Sequence, residues 1–141
     1  NCVATDHAPH TLEEKARPFP KSPSGMPGVE WALPLMLNQV NTNKATLQDV
    51  AYWMCEAPPK VYGVPRKGRL ETGYDGDIVL IDMKEKRTIT DESVRSRCGW
   101  TPFEGFEVQG WPVLTAVLGE PVFRDGQIIE HVRGQELTFV R

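Results

Sequence analysis

The chain has 141 residues, of which 40% are hydrophobic and 25% charged, values typical of a globular protein. Sixteen basic and nineteen acidic side chains give a formal net charge of −3, which argues against the basic footprint of a nucleic-acid-binding protein. No apolar run approaches the ~18 residues of a membrane span, and no signal peptide is visible. Three cysteines without C-x-x-C spacing favour a reduced, cytoplasmic setting.

A polar cluster lies almost at the start of the sequence. The chain opens without methionine and directly inside an apolar run, residues 2–5, which predicts a buried strand of a longer protein. Asp6, His7 and His10 follow this run, and catalytic residues are commonly mounted where a strand ends and a loop begins. Aspartate and histidine are also zinc ligands, but a catalytic zinc takes about three of them, and His131 is distant in sequence.

Residues 11–28 contain four prolines and two glycines, which leave room for little regular structure beyond a turn at residues 12–15. Irregular segments of this length are uncommon in compact domains and often functional. A disordered linker is the alternative that composition allows.

Two helices are predicted next. Residues 29–40 are too densely apolar for an alternating strand and predict a largely buried helix that tolerates Pro34 near its start. Thr46 is predicted to cap a second helix in a capping box with Asp49. Pro58 and Pro59 should stop that helix and start another short helical turn.

After Gly63 the pattern changes to β structure. Four segments predict strands, the last two as a hairpin: residues 77–82, 87–90, 112–118 and 121–124. Residues 91–111 predict irregular structure because glycines and a proline interrupt them. We therefore divide the chain into a strand, a loop and helices at residues 1–63 and a β unit at residues 64–141.

The sequence ATDHAPHTLEEK at residues 4–15, with PSGMPGVE at residues 23–30, resembles the last barrel strand and active-site loop of dihydroorotases in the amidohydrolase superfamily. Three further segments are similar to the superfamily's closing strands: residues 67–80, 98–105 and 122–126. The resemblance implies an α/β fold, namely the C-terminal end of a (β/α)8 barrel followed by part of a small β-sandwich. Because such a barrel needs ~250 residues, we expect a C-terminal fragment that alone is inactive.

The resemblance also implies roles for single residues. The family's aspartate at the position of Asp6 is a zinc ligand and the general acid/base, and the histidine at the position of His10 binds substrate. Ser24 and Gly25 match a loop pair that contacts the substrate, whereas His7 matches no metal ligand and is left with a structural role. The alternatives are that Asp6 only turns the chain, that His10 is a surface histidine and that Ser24 and Gly25 form a plain turn.

The implied reaction is the reversible, zinc-dependent hydrolysis of the cyclic amide of dihydroorotate to N-carbamoyl-L-aspartate in pyrimidine biosynthesis, with one or two zinc ions. Hydantoinases and allantoinases are the first rivals, although they usually lack a histidine matching His10. The second rival is a non-catalytic homologue that serves as a structural partner of aspartate transcarbamoylase. The implied partners are the small-molecule substrate and either aspartate transcarbamoylase or copies of the same chain, with neither nucleic acid nor membrane.

Overall fold

The computed structural model describes residues 1–140. Its first part is helical: α1 (Leu12–Lys15), α2 (Ala32–Asn41), α3 (Leu47–Ala51), a π-helical segment (Tyr52–Glu56) and α4 (Ala57–Tyr62). Its second part is one antiparallel sheet of four strands in the order of the chain: β1 (Ile78–Thr88), β2 (Glu107–Val117), β3 (Glu120–Arg124) and β4 (Gln127–Ile128). A 3₁₀ turn (Asp91–Ser93) lies between β1 and β2. None of the described helices has the length and apolar character needed to cross a bilayer.

The strand predicted at residues 2–5 is not formed as a strand in this structure. Val3 donates one backbone hydrogen bond to the carbonyl oxygen of Trp53 at 3.1 Å. A single bridge follows, between His7 and Met26 in parallel orientation. A strand is defined by a ladder of bonds to a neighbouring strand, and the described part of the chain offers residues 2–5 no such neighbour.

Capping boxes start two of the helices. In α1 the Thr11 hydroxyl accepts from the Glu14 N–H at 3.2 Å, and the Glu14 carboxylate accepts from the Thr11 N–H at 3.0 Å. In α3 the predicted pair, Thr46 and Asp49, makes the same exchange. Hydrogen bonds from the Thr46 hydroxyl and N–H lower the pKa of the Asp49 carboxyl. Both caps supply acceptors for N–H groups that a helix start leaves unpaired.

The chain stays helical across the point where it was predicted to stop. The short helical turn after the prolines is confirmed, but the interruption before it is wrong, because a π-helical segment joins the two pieces. The Ala57 N–H donates to the carbonyl of Tyr52, and Pro58 has no N–H to offer the next carbonyl, that of Trp53. The helix therefore leaves the Trp53 oxygen unpaired, and this is the oxygen that the Val3 N–H reaches.

The β unit differs from the prediction in two places. The two strands predicted at residues 77–82 and 87–90 are one continuous strand, β1, with an irregular pairing between Asp82 and Lys86. Strand β2 starts at residue 107, earlier than the predicted 112, and runs through Gly110, which was predicted to interrupt the chain. Pro112 lies at a register shift of the ladder, where a missing donor is tolerated. The predicted hairpin of β2 and β3 is confirmed.

Helix α2 is fastened to the sheet by two amide side chains. The Asn38 Oδ1 accepts from the Gln109 N–H at 3.1 Å, and the Asn41 Nδ2 donates to the Gln109 carbonyl at 2.8 Å. Gly110, next in β2, has φ 104°, and a Cβ there would lie 2.7 Å from that of Leu37. The core beside this contact is built from one cluster of apolar side chains: Trp31, Leu35, Ile89, Val94, Phe103, Val108 and Trp111. This packing fixes the helix that directly follows the polar cluster and its loop.

Candidate active site

Asp6 marks a sharp change of direction in the backbone. Its φ is 45°, a left-handed conformation that aspartate and asparagine tolerate better than other residues with a Cβ. The side chain is exposed, and within residues 1–140 its carboxylate takes part in no hydrogen bond or ion pair. The turn therefore presents a carboxylate that is available to a ligand.

Residues 6–28, which we call the site loop, are closed at their base. The Ala8 N–H donates to the Met26 carbonyl at 3.1 Å. The Nδ1 of His7 accepts from the N–H groups of Gly28 at 3.1 Å and Val29 at 3.3 Å. An imidazole nitrogen that accepts hydrogen bonds carries no proton. In this structure His7 is a backbone acceptor that holds the two ends of the loop together.

Gly25 packs directly on the first part of the loop. Its φ is 97°, and a Cβ at this position would lie 2.5 Å from the Cβ of Ala8. Only glycine combines this backbone conformation with so close an approach. The contact brings the predicted pair, Ser24 and Gly25, next to the segment that carries Asp6 and His10.

His10 is held by its main chain and by one neighbouring carboxylate. The Trp100 indole N–H donates to the His10 carbonyl at 2.6 Å. The Nδ1 of His10 lies 3.5 Å from the Glu14 Oε2, with both side chains about one-third exposed. A backbone hydrogen bond from Thr11, aided by the neighbouring His10, lowers the pKa of Glu14. The imidazole is thus oriented beside an acid without being buried.

Lys15 also belongs to this site, although sequence reasoning did not select it. Its Nζ donates to the carbonyls of Pro23 at 2.8 Å and Gly25 at 3.1 Å. The Ser22 hydroxyl donates to the Lys15 carbonyl at 2.9 Å. A lysine in the last turn of a short helix is ordinarily a solvated residue, so its type and spacing gave no signal of these contacts.

The side chains near Asp6 show how far this site could bind a metal ion. Within the described residues no three histidine, cysteine, aspartate or glutamate side chains come together as a metal-binding group. A catalytic zinc takes about three protein ligands. A carboxylate is a ligand that zinc accepts, so the Asp6 carboxylate could supply one ligand, and the described residues by themselves do not complete a zinc centre.

Comparisons with known proteins agree on the family. The model of the amidohydrolase family matches residues 3–122. The dihydroorotase of Pyrococcus furiosus is 40% identical over 136 residues, which make up 96% of this chain and 32% of that protein. The multifunctional protein pyr1-3 of Dictyostelium discoideum is 40% identical over 127 residues, 90% of this chain and 5% of that protein. The chain spans about a third of the length of the curated dihydroorotases it matches.

A solved structure is similar in fold as well. The L-hydantoinase (dihydropyrimidinase) from Arthrobacter aurescens superposes with a TM-score of 0.78 at 36% identity, over 84% of this chain and 27% of that one. The predicted fold class, the end of a (β/α)8 amidohydrolase barrel followed by part of a small β-sandwich, is confirmed by these matches. With a family model that covers most of its length, the chain belongs to the amidohydrolase family.

Proposed function

We propose that this chain is part of a dihydroorotase, which hydrolyses the cyclic amide of dihydroorotate to N-carbamoyl-L-aspartate and catalyses the reverse ring closure in pyrimidine biosynthesis. The observation that carries the proposal is the similarity of nearly the whole chain to dihydroorotases. The closed site loop supports it, because Asp6, His10 and the pair Ser24 and Gly25 lie on one short segment.

Asp6 is the proton carrier in this proposal. One or two bound zinc ions would lower the pKa of a water molecule to ~7 and polarise the ring carbonyl. The Asp6 carboxylate takes the proton of the attacking water and delivers it to the ring nitrogen as the amide C–N bond breaks. Its exposed side chain, without a protein partner in residues 1–140, supports this role.

His10, Ser24 and Gly25 bind the anionic substrate in this proposal. Dihydroorotate carries a carboxylate, which an imidazole and main-chain N–H groups can receive. Neither the Ser24 nor the Gly25 N–H has a hydrogen-bond partner among the described residues, so both are available as donors. The glycine lets the main chain approach the ligand closely.

Substitution of Asp6 tests the assignment in the full-length protein. Asp6→Asn keeps the size of the side chain and removes its basicity, and turnover of dihydroorotate should fall at least about a hundredfold. Asp125→Asn, in an exposed hairpin turn, is the control and should retain the wild-type rate. Retention of activity by the Asp6 variant would refute the role of this carboxylate.

Substrate preference separates the proposal from its rivals. A cyclic amidohydrolase of the hydantoinase type is supported by the structural match to L-hydantoinase. The full-length protein should turn over dihydroorotate in preference to hydantoin and allantoin, and preference for either of the latter would reject our choice. A protein that binds no zinc and turns over none of the three would instead be a non-catalytic homologue. The match to a multifunctional protein supports partner domains beside this chain, and association with aspartate transcarbamoylase or with further copies of the same protein stays a prediction.

A further inference from the structure

We infer that Lys15 is a positioning residue whose ammonium group holds residues 22–25 in the shape that binds the substrate. The inference rests on the proposed function, because it assigns Ser24 and Gly25 to the substrate. It adds a residue with no direct contact to the reacting atoms, which acts through the loop that it holds.

Lys15 is bonded to the loop at three points. Its Nζ donates hydrogen bonds to the carbonyls of Pro23 and Gly25, and its own carbonyl accepts one from the Ser22 hydroxyl. These three bonds cover the four consecutive residues 22–25. Hydrogen bonds from a charged donor are stronger than those between neutral groups. The Nζ bond to Pro23 and the bond from Ser22 are partly shielded from solvent, which increases the strength of each.

The loop has little else to hold it in shape. Across residues 18–25 the described chain contains one internal backbone hydrogen bond, from the Lys21 N–H to the Pro18 carbonyl at 2.8 Å. Pro23 cannot donate a backbone hydrogen bond, and glycine at position 25 loses more conformational entropy on ordering than any other residue. Lys15 supplies the bonds that the backbone of this segment does not make.

Lys15 itself is firmly placed. It ends α1, a helix of four residues, which is too short to be stable alone. The capping box of Thr11 and Glu14 fixes the start of that helix, and the bond from Trp100 fixes the preceding residue, His10. The lysine is therefore anchored to the same segment as the imidazole that we assign to the substrate.

Holding the carbonyls also sets the direction of the free N–H groups. In a trans peptide the C=O and N–H bonds point in opposite directions. Because the Pro23 carbonyl points at the ammonium of Lys15, the N–H of Ser24 points away from it. This N–H has no partner in the described chain, so the lysine orients a donor that the proposed function assigns to the substrate.

The test compares two lysines of the site loop in the full-length protein. Lys15→Met removes the ammonium and keeps the length of the side chain. Lys21→Met is the matched control, since the Lys21 side chain is exposed and makes no hydrogen bond among residues 1–140. We expect Lys15→Met to raise the KM for dihydroorotate about tenfold, because the variant loses a charge-assisted hydrogen bond. The change in kcat should be smaller. Lys21→Met should leave both unchanged.

Hydrogen exchange provides the second readout. The Ala8 amide is the probe, because its N–H donates to the Met26 carbonyl next to the segment that Lys15 holds. It should exchange faster in Lys15→Met than in the wild type and in Lys21→Met. Wild-type exchange, or faster exchange without a rise in KM, would overturn the inference. Should Lys15→Met fail to fold, Lys15→Gln, which keeps one neutral donor, should show the same changes at smaller size, and its identity with the wild type would overturn the inference equally.

The two proposals fail separately in this design. If the wild-type protein does not turn over dihydroorotate, the proposed function falls, and with it the assignment of Lys15 to substrate positioning. The exchange rates still decide whether the lysine orders the loop. If the wild type is active and Lys15→Met behaves as Lys21→Met, only the inference about Lys15 falls.

Discussion

The indole nitrogen of Trp100 donates a 2.6 Å hydrogen bond to the carbonyl oxygen of His10, across a sequence separation of 90 residues. One partner precedes strand β2, and the other lies in the site loop. Both are partly buried, so water replaces this bond incompletely. The bond makes the geometry of His10 depend on a residue that belongs to the β unit.

Removal of this donor should weaken substrate binding. Trp100→Phe leaves the His10 carbonyl without its partner, and we expect a loss of about 1 kcal/mol in unfolding free energy and a several-fold rise in the KM of the full-length protein. Trp53→Phe controls for the smaller ring, since the Trp53 indole makes no hydrogen bond within the described residues. Denaturant unfolding and steady-state kinetics measure both, and equal effects of the two variants would contradict the prediction.

A side chain at position 25 should disturb the loop. Gly25→Ala adds a Cβ 2.5 Å from that of Ala8 in a backbone with φ 97°. Gly73→Ala carries the same kind of strain, at φ 90°, but has no neighbour within 4 Å. Overpacking costs about 1–3 kcal/mol beyond strain, so Gly25→Ala should unfold at lower temperature than Gly73→Ala and bind substrate more weakly. Indistinguishable melting curves would show that the loop moves aside freely.

Acidification should remove the contribution that the Asp77 carboxylate makes to the free energy of unfolding. Burial raises the pKa of its carboxyl. Hydrogen bonds from Lys67 at 2.6 Å and from the Leu118 N–H at 2.9 Å outweigh that effect, so the pKa lies below the ordinary 3.8. A carboxyl whose pKa is lower in the folded state stabilises the fold above its unfolded pKa, and this contribution is lost as pH falls through the folded pKa.

The variant Asp77→Asn tests this pH dependence. It should be less stable than the wild type at neutral pH, and the difference should shrink as pH falls below 3.8. Urea midpoints across this range measure the effect. Asp125→Asn, in the β3–β4 turn, should show no such trend. A difference that stays constant with pH would refute the assigned cause.

An N–H introduced at position 58 should release the start of the chain. Pro58→Ala provides a donor that the carbonyl of Trp53 can accept within the helix, in competition with Val3. We expect faster amide exchange at Val3, while Pro65→Ala, beyond the helix, leaves that rate unchanged. Unchanged protection of Val3 would mean that the missing proline donor is not what keeps the Trp53 oxygen free.

Local signals in the sequence predicted local structure well. The capping box of Thr46 and Asp49 and the place of Pro34 in the first turn of α2 follow from neighbours within four residues. The start of β2 at residue 107 and its course through Gly110 were missed because their cause is remote in sequence. A Cβ at position 110 would lie 2.7 Å from that of Leu37, a contact that no neighbour of Gly110 in the sequence indicates.

The candidate site, like the fold, was predictable from the sequence only in part. Resemblance pointed to Asp6, His10, Ser24 and Gly25, whose roles stay predictions, and the structure brings them onto one closed loop. The contacts that hold the site were not readable from the chain. Carbonyl oxygens accept at many of them, and every residue has one, so no pattern of residue types reveals which carbonyl a given lysine or tryptophan selects.

The closed base of the site loop has a consequence for how such a protein can diverge. His7 and Ala8 meet Met26 and Gly28, so the ends of the loop stay joined whatever lies between them. Doubling the length of a closed loop costs only about 0.6 kcal/mol, and its tip is already solvated, with Phe19 94% exposed. Insertions and substitutions at the tip can therefore change the length and chemistry of the loop while the carboxylate of Asp6, at its first turn, stays where it is.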